Sequence, residues 1–336
     1  MAWFSRSGKP EPGFADPSRA TESDVRHAYR LLLKRDPDPA GLGHYVRLVR
    51  EGLSLDELIA EFVRSDEYHD RTERERIADE QPVDLGGYQL IVPTRDPDFG
   101  SNIFHFRQYE EPVRQVVRDH LREGHVCVDI GANIGVVTCL AASLVGPSGR
   151  VIAVEPNPDN VQLLYRSILL NGFGNVEVLP LAASSARTVF SLTGRSNTHL
   201  VGARGTAGGG HLVQSVALDQ LLGDLPRLDL VKLDIEGHEP PALEGMWQLV
   251  MRYRPTLLTE FNPRCLDVQR QDGTAYLRRI LTLYPRVRVI SHFKDDETFT
   301  TAEQVMAFWS RRSEEVAASG QLPPGLLHFD LVAVAE

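Results

Sequence analysis

The chain has 336 residues, enough for about two domains, and its apolar fraction of 42% is ordinary for a protein that buries a core. A net charge of −10 argues against a general nucleic-acid binder, which needs a basic face. Three cysteines, Cys127, Cys139 and Cys265, have no metal-like spacing and imply no disulfide framework, so a reducing compartment fits.

The first twenty residues, rich in proline, glycine and charge, read as disordered. They lack the apolar run of a signal peptide, and no segment reaches the roughly 18 apolar residues of a membrane span. The expectation is a soluble, cytoplasmic protein with no membrane span; a homo-oligomer is left open.

Residues 21–78 read as a small all-α domain. Thr21 and Asp24 have capping-box spacing, and Val25, Ala28, Tyr29 and Leu32 then share a helix face. Asp38 caps a second helix with Pro39 at its first position, and Gly52 stops it. Ser54 and Glu57 form another capping box. The charged run RTERERIADEQ suits a linker. The stretch LLKRDPDPAGLGHYVRLVREGLSLDELIAEFVRSDEY resembles the DUF4214 module, a small helical unit often attached to bacterial glycan-related enzymes. Asp36 and Asp38 are too few oxygen ligands for a calcium loop, so capping is the preferred role.

Residues 79–336 read as an α/β domain. Strand-like pieces YQLIVP and IFHFR precede a helix in EEPVRQVVRDHLREG. Seven strands follow: HVCVDIG, RVIAVEP, VEVLPLAAS, LDLVKLDIEG, PTLLTEFN, RVRVISHF and HFDLVAVAE. Helices between the early strands predict a doubly wound, mostly parallel sheet, with one antiparallel strand added late. Ligands of such sheets bind at the carboxyl ends of strands. There the chain places Asp129, Glu155, Asp234 and Glu260, which repel a polyphosphate.

The loop after the first strand has G-x-x-x-G (Gly131, Gly135) with Asp129 before it, not the G-x-G-x-x-G of a dinucleotide site. S-adenosylmethionine (AdoMet) has no phosphate but carries an ammonium, a sulfonium and a ribose diol. Asp129 can hold the ammonium, directly or through water, or merely cap the next helix. Gly131 and Gly135 let the backbone approach the methionine part. Glu155, 24 residues after Gly131, can accept both ribose hydroxyls.

The runs VDIGANIGVVT, VIAVEPNPDNVQLL, VALDQLL, VKLDIEGHEPPALEG and PTLLTEFN resemble the FkbM family of AdoMet-dependent methyltransferases, from about residue 108 to 293. The resemblance implies a class I, Rossmann-like methyltransferase fold. It also implies O-methylation of a hydroxyl, commonly on sugars of bacterial glycans, glycolipids and glycosylated metabolites, or on polyketide aglycones. Carried over by position, Asp129, Gly131, Asn133, Gly135 and Glu155 form the cofactor site. Asp234, Glu236, His238 and Glu239 face the transferring methyl.

A hydroxyl is a weak nucleophile, so a base or a metal is expected. His238 is the favoured base, oriented by Glu236 and Glu239. A divalent ion such as Mg²⁺ on Asp234, Glu236 and His238 is the alternative, and a purely structural EGHE turn is a third. The glycine-rich TGRSNTHLVGARGTAGGGHLVQS holds His199 and His211, either plain loop residues or part of an acceptor lid. Two other functions remain open: a non-catalytic localisation or assembly protein with a degenerate fold, and, remotely, an NAD-dependent dehydrogenase.

Overall fold

The computed structural model describes residues 19–97, 99–194, 198–202, 211–291, 293, 295–323 and 325–335. The segment expected to be disordered lies almost wholly outside them. The chain divides into two compact units, Met1–Asp79 and Glu80–Glu336.

Among its described residues the first unit has four helices: α1 (Glu22–Leu32), α2 (Pro39–Glu51), α3 (Leu55–Arg64) and α4 (Asp66–Ala78). Their starts follow from side chains that satisfy otherwise orphaned amides. Thr21 with Asp24, and Ser54 with Glu57, form reciprocal capping boxes. The Asp38 carboxylate accepts the Gly41 amide, and Gly52, left-handed at φ 107°, ends α2. Asp36 pairs with Arg30, an ordinary surface bridge. Val25, Ala28, Tyr29, Leu58 and Phe62 are buried together, with the Tyr29 and Phe62 rings edge-on at 4.9 Å. The run RTERERIADEQ, expected as a linker, is largely helix α4. Its Arg and Glu are good helix formers, and Arg71 pairs with Glu75 one turn on.

The second unit begins with an antiparallel ribbon, β1 (Glu80–Asp84) and β2 (Gln89–Pro93), then α5 (Gly100–Phe106) and α6 (Glu111–His120). The IFHFR run lies mostly in α5, not in a strand. The Asp96 carboxylate accepts the amides of Phe99 (3.0 Å) and Gly100 (3.2 Å), which starts the helix. There follow β3 (Val126–Ile130), α7 (Val136–Val145), β4 (Arg150–Val154), α8 (Pro158–Asn171), β5 (Val176–Leu179) and β6 (Ala182–Ala183). Next come β7 (Val189–Gly194), β8 (Thr198–Gly202), β9 (Leu212–Val216), α9 (Leu218–Leu221) and β10 (Leu230–Leu233). The rest is α10 (Glu239–Glu244), α11 (Trp247–Tyr253), β11 (Thr256–Phe261), α12 (Pro263–Val268), α13 (Gly273–Leu281), β12 (Val287–Ile290), β13 (Thr298–Phe299), α14 (Ala302–Ala318) and β14 (Phe329–Ala333).

The main sheet runs β13-β12-β14-β11-β10-β3-β4-β5. The strands β11, β10, β3, β4 and β5 are parallel, while β14 runs against both its neighbours. The seven expected strands form this order, and short β13 adds an eighth at the edge. This is the doubly wound, Rossmann-like sheet that the strand pattern predicts.

Alternation along each strand feeds two cores. Val126, Val128 and Ile130 of β3 and Val231 and Leu233 of β10 pack on the α10–α11 face. Cys127 and Leu230 pack on the face covered by α6 and α7. By the same period Asp129 and Lys232 sit on the second face. The chain path diverges between β3 and β10, so their carboxyl ends flank the switch point where ligands bind.

The glycine-rich segment is not a bare loop over its described part. Strands β7, β8 and β9 join β6 in a four-stranded sheet of order β6-β9-β7-β8. Residues 203–210 lie outside the described residues, as does the His199 side chain; His211 is exposed.

Each unit holds its own apolar cluster. A chain starting at residue 80 is therefore expected to give a cooperative thermal transition by circular dichroism. An aggregated or non-cooperative fragment would mean that the two units share a core.

Candidate active site

A cavity of about 220 Å³ lies at the carboxyl ends of β3, β4, β10 and β11. Its floor is the loop after β3. Gly131 there has φ 79°, and a Cβ would overlap the Asp234 carbonyl oxygen of the neighbouring strand end. Gly135 has φ 101° and begins α7, with a Cβ pressing on Leu164. Between them Asn133 is also left-handed, at φ 50°. The loop thus curls tightly and offers its backbone to the cavity, which Gly131 and Asn133 line.

Glu155 follows β4 and also lines the cavity. Its Oε2 accepts the Asn133 amide and its Oε1 the Asn157 amide, each at 2.8 Å. Two backbone amides fix the plane of the carboxylate, and the Asn160 side chain also acts on it. Burial pushes its pKa up to about 7, against the pull of those amides.

Asp129 is fully buried and is not among the residues lining the cavity. Its Oδ2 accepts the Thr138 hydroxyl at 2.6 Å, from α7. Its Oδ1 has no hydrogen-bond partner among the described residues and lies 3.9 Å from Lys232 Nζ. Burial raises its pKa. Of the two, Lys232 lines the cavity and Asp129 does not.

Lys232 carries no role in the sequence reading. It stands inside the apolar run LVKL of β10, its side chain only 8% exposed. Its ammonium donates to the Gly131 carbonyl at 2.9 Å and pairs with Asp234 at 3.2 Å. Burial pulls its pKa down, but Asp234, Asp129 and Glu110 outweigh that and hold it charged. A lone lysine in an otherwise apolar strand was the available signal, because such a charge has to meet a partner.

The loop after β10 separates residues that the sequence grouped. Asp234 and Glu236 line the cavity. Glu239 does not; its Oε1 accepts the amides of Ile235 (2.8 Å) and Gly237 (3.1 Å) and so braces the loop from below. His238, the expected base, also lies outside the cavity lining. Its Nε2 meets Ser184 Oγ at 3.0 Å, and its ring packs edge-on to Phe190 at 5.2 Å. Burial lowers its pKa to about 4, so the ring is neutral. Nor does His238 join Asp234 and Glu236 in a ligand set; the carboxylates brought together are Asp234, Glu239 and Glu260.

Two further cavity residues precede α6. Glu110 has φ 48°, a left-handed conformation that costs energy outside glycine. Burial and then Asp234 push its carboxyl up to about 7. Tyr109 lines the same wall, and burial raises the pKa of its hydroxyl, with Glu110 adding to the effect. Nothing in the run QYEEPV marks these residues in sequence. Leu192 and Leu200, from β7 and β8, close the cavity on another side.

The loop geometry makes Gly131→Ala costly. Denaturant unfolding is expected to show a loss of at least about 1–2 kcal/mol from the left-handed backbone alone. Gly174→Ala, where a Cβ meets nothing within 4 Å, should stay within about 0.5 kcal/mol of the parent. Equal stability of the two variants would contradict the close approach of β3 and β10.

The site can be set beside known proteins. The methyltransferase FkbM domain model matches residues 129–286, and the model of DUF4214, a domain of unknown function, matches residues 15–72. The hexuronic acid methyltransferase AglP of Haloferax volcanii is 31% identical over 145 residues, 41% of this chain and 56% of that protein. The match thus spans little more than half the length of that relative. Among solved structures, the methyltransferase FkbM from Methylobacillus flagellatus KT is similar at 18% identity, covering 81% of this chain and 57% of that one, with a TM-score of 0.37. A SAM-dependent O-methyltransferase from Thermotoga maritima is similar at 11% identity, covering 77% and 87%, with a TM-score of 0.40. Residues 129–286 are thus similar to the methyltransferase FkbM domain, and residues 15–72 to DUF4214.

Proposed function

We propose that this protein is an AdoMet-dependent O-methyltransferase that acts on a hydroxyl of a sugar in a glycan, glycolipid or glycosylated metabolite. The observation that carries the reading is Glu155. A carboxylate held in plane by two backbone amides, at the end of the strand next to a glycine loop, matches a ribose diol and not a phosphate. The methionine end of the cofactor runs along Gly131–Asn133, where Asp234 meets its ammonium. Asp129 acts at a distance, through the position of Lys232. The sulfonium adds a cation to a cavity lined by Glu110, Asp234, Glu236 and Glu260. The sugar is supported by the hexuronic acid methyltransferase among the relatives.

Methyl transfer is an in-line displacement at carbon, so positioning supplies most of the catalysis. The acceptor hydroxyl must lose its proton as the C–O bond forms. Glu110 takes it: it lines the cavity, and burial pushes its carboxyl up to about 7. His238 supports the loop from behind.

Calorimetry tests the cofactor half. Glu155→Ala removes two charge-assisted hydrogen bonds of roughly 1.5–3 kcal/mol each, so AdoMet affinity should fall at least about tenfold. Only the ionised carboxylate accepts from both hydroxyls. Affinity should therefore decline as pH falls below about 7 and level off above it, and Glu155→Gln should flatten that profile. Unchanged binding by Glu155→Ala would remove the ribose assignment.

Turnover tests the other half. With labelled AdoMet and a hexuronic-acid glycan, Glu110→Gln should lower kcat by roughly 10²–10⁴-fold with little change in cofactor affinity. Full activity of that variant would return the search for the base to the other cavity carboxylates.

A further inference from the structure

Three carboxylates from two separate strand ends converge beside the cavity. Asp234 and Glu239 belong to the loop after β10 and the start of α10, and Glu260 to β11. Each offers an oxygen, and these oxygens lie within 4.8 Å of one another. Oxygens bound to a calcium-sized ion at about 2.4 Å stand at most about 4.8 Å apart, so one ion can span all three.

Glu260 supplies an independent observation. It is 9% exposed, and its Oε2 has no hydrogen-bond partner among the described residues. Its Oε1 accepts a long bond, 3.4 Å, from the Asn262 side-chain amide. A buried carboxylate with an unpartnered oxygen needs a counter-charge or a proton. The charged groups that act on it most strongly are Asp234, Glu239, Glu236 and Asp330, all carboxylates. Lys232 reaches Asp234 at 3.2 Å, but its ammonium is shared with the Gly131 carbonyl and Asp129.

We propose that Asp234, Glu239 and Glu260 form a binding site for one hard divalent cation, of the Mg²⁺, Mn²⁺ or Ca²⁺ type. An all-oxygen set of carboxylates selects such ions over thiophilic metals. The set differs from the Asp234, Glu236 and His238 that spacing alone suggests, because His238 faces Ser184. Glu239 already accepts two loop amides, so the ion binds to an oriented carboxylate. Asp234 and Glu260 line the cavity, which puts the ion within reach of an acceptor's oxygens. There it would hold neighbouring sugar hydroxyls, or a sugar carboxylate, in a cavity whose own acids repel anions. That last role rests on the methyl-transfer reading; the site itself does not.

The test uses the full chain, stripped with EDTA, without AdoMet or acceptor. Titration with MnCl₂, followed by calorimetry and by the EPR signal of free Mn²⁺, should show one ion per chain. Glu260→Gln and Glu239→Gln keep the side-chain shape and remove a charge, and each should weaken that binding at least tenfold. Crystals of the unmodified protein soaked in MnCl₂ should show an anomalous peak among the three carboxylates. This keeps the test valid if a variant fails to fold. No saturable binding, or a peak elsewhere, overturns the site and leaves the AdoMet assignment untouched. Binding equal to the parent's in two folded variants overturns it too.

Discussion

The ammonium of Lys232 ties the two halves of the sheet together where they diverge. It reaches from β10 to the Gly131 carbonyl after β3, with Asp129 on one side and Asp234 on the other. The cavity floor depends on this contact. Without the cation, Asp129 would be a buried, unpaired carboxylate, and removing one partner of a buried pair costs about 3–5 kcal/mol. The glycine loop would also lose the group that holds its carbonyl inward. A charged cluster of this kind is poor as a source of stability. Its effect is to fix the spacing of two strand ends beside the cavity.

The remaining site follows from that spacing. With Gly131 seated against the Asp234 carbonyl, the loop turns back so that the Asn133 amide reaches Glu155. Glu155 is then aimed by backbone on both oxygens. The loop after β10 bends at two successive left-handed residues, Glu236 at φ 57° and Gly237 at φ 93°. This sends Glu236 to the cavity and His238 to the far side, under Phe190.

Much of the frame was legible because the chain signals it locally. Capping boxes at Thr21 and Ser54, and the proline after Asp38, mark helix starts by the amides they satisfy. Apolar runs ending in Asp129, Glu155, Asp234 and Glu260 mark parallel strands and their ligand-facing ends. Other features depend on contacts that spacing does not encode. Residues in the DIEGHE turn are neighbours in sequence, yet two left-handed steps send them to opposite sides. IFHFR alternates like a strand, but Asp96 starts a helix before it. The charged run after α3 looks like a linker, though its charges pair along a helix. The glycine-rich segment reads as a loop because β7, β8 and β9 draw their partners from one another and from β6, not from the main sheet. Glu110 is invisible to pattern, since its place in the cavity comes from a single strained backbone step.

The central claim is that the cavity beside Lys232 is built around a ribose and a methionine rather than a phosphate. A crystal structure with S-adenosylhomocysteine tests it most directly. The account predicts both ribose hydroxyls on the two oxygens of Glu155, at about 2.5–3.0 Å, with the amino-acid end against Gly131 and Asp234. A nucleoside bound elsewhere, or one in this cavity whose ribose leaves Glu155 untouched, would contradict it.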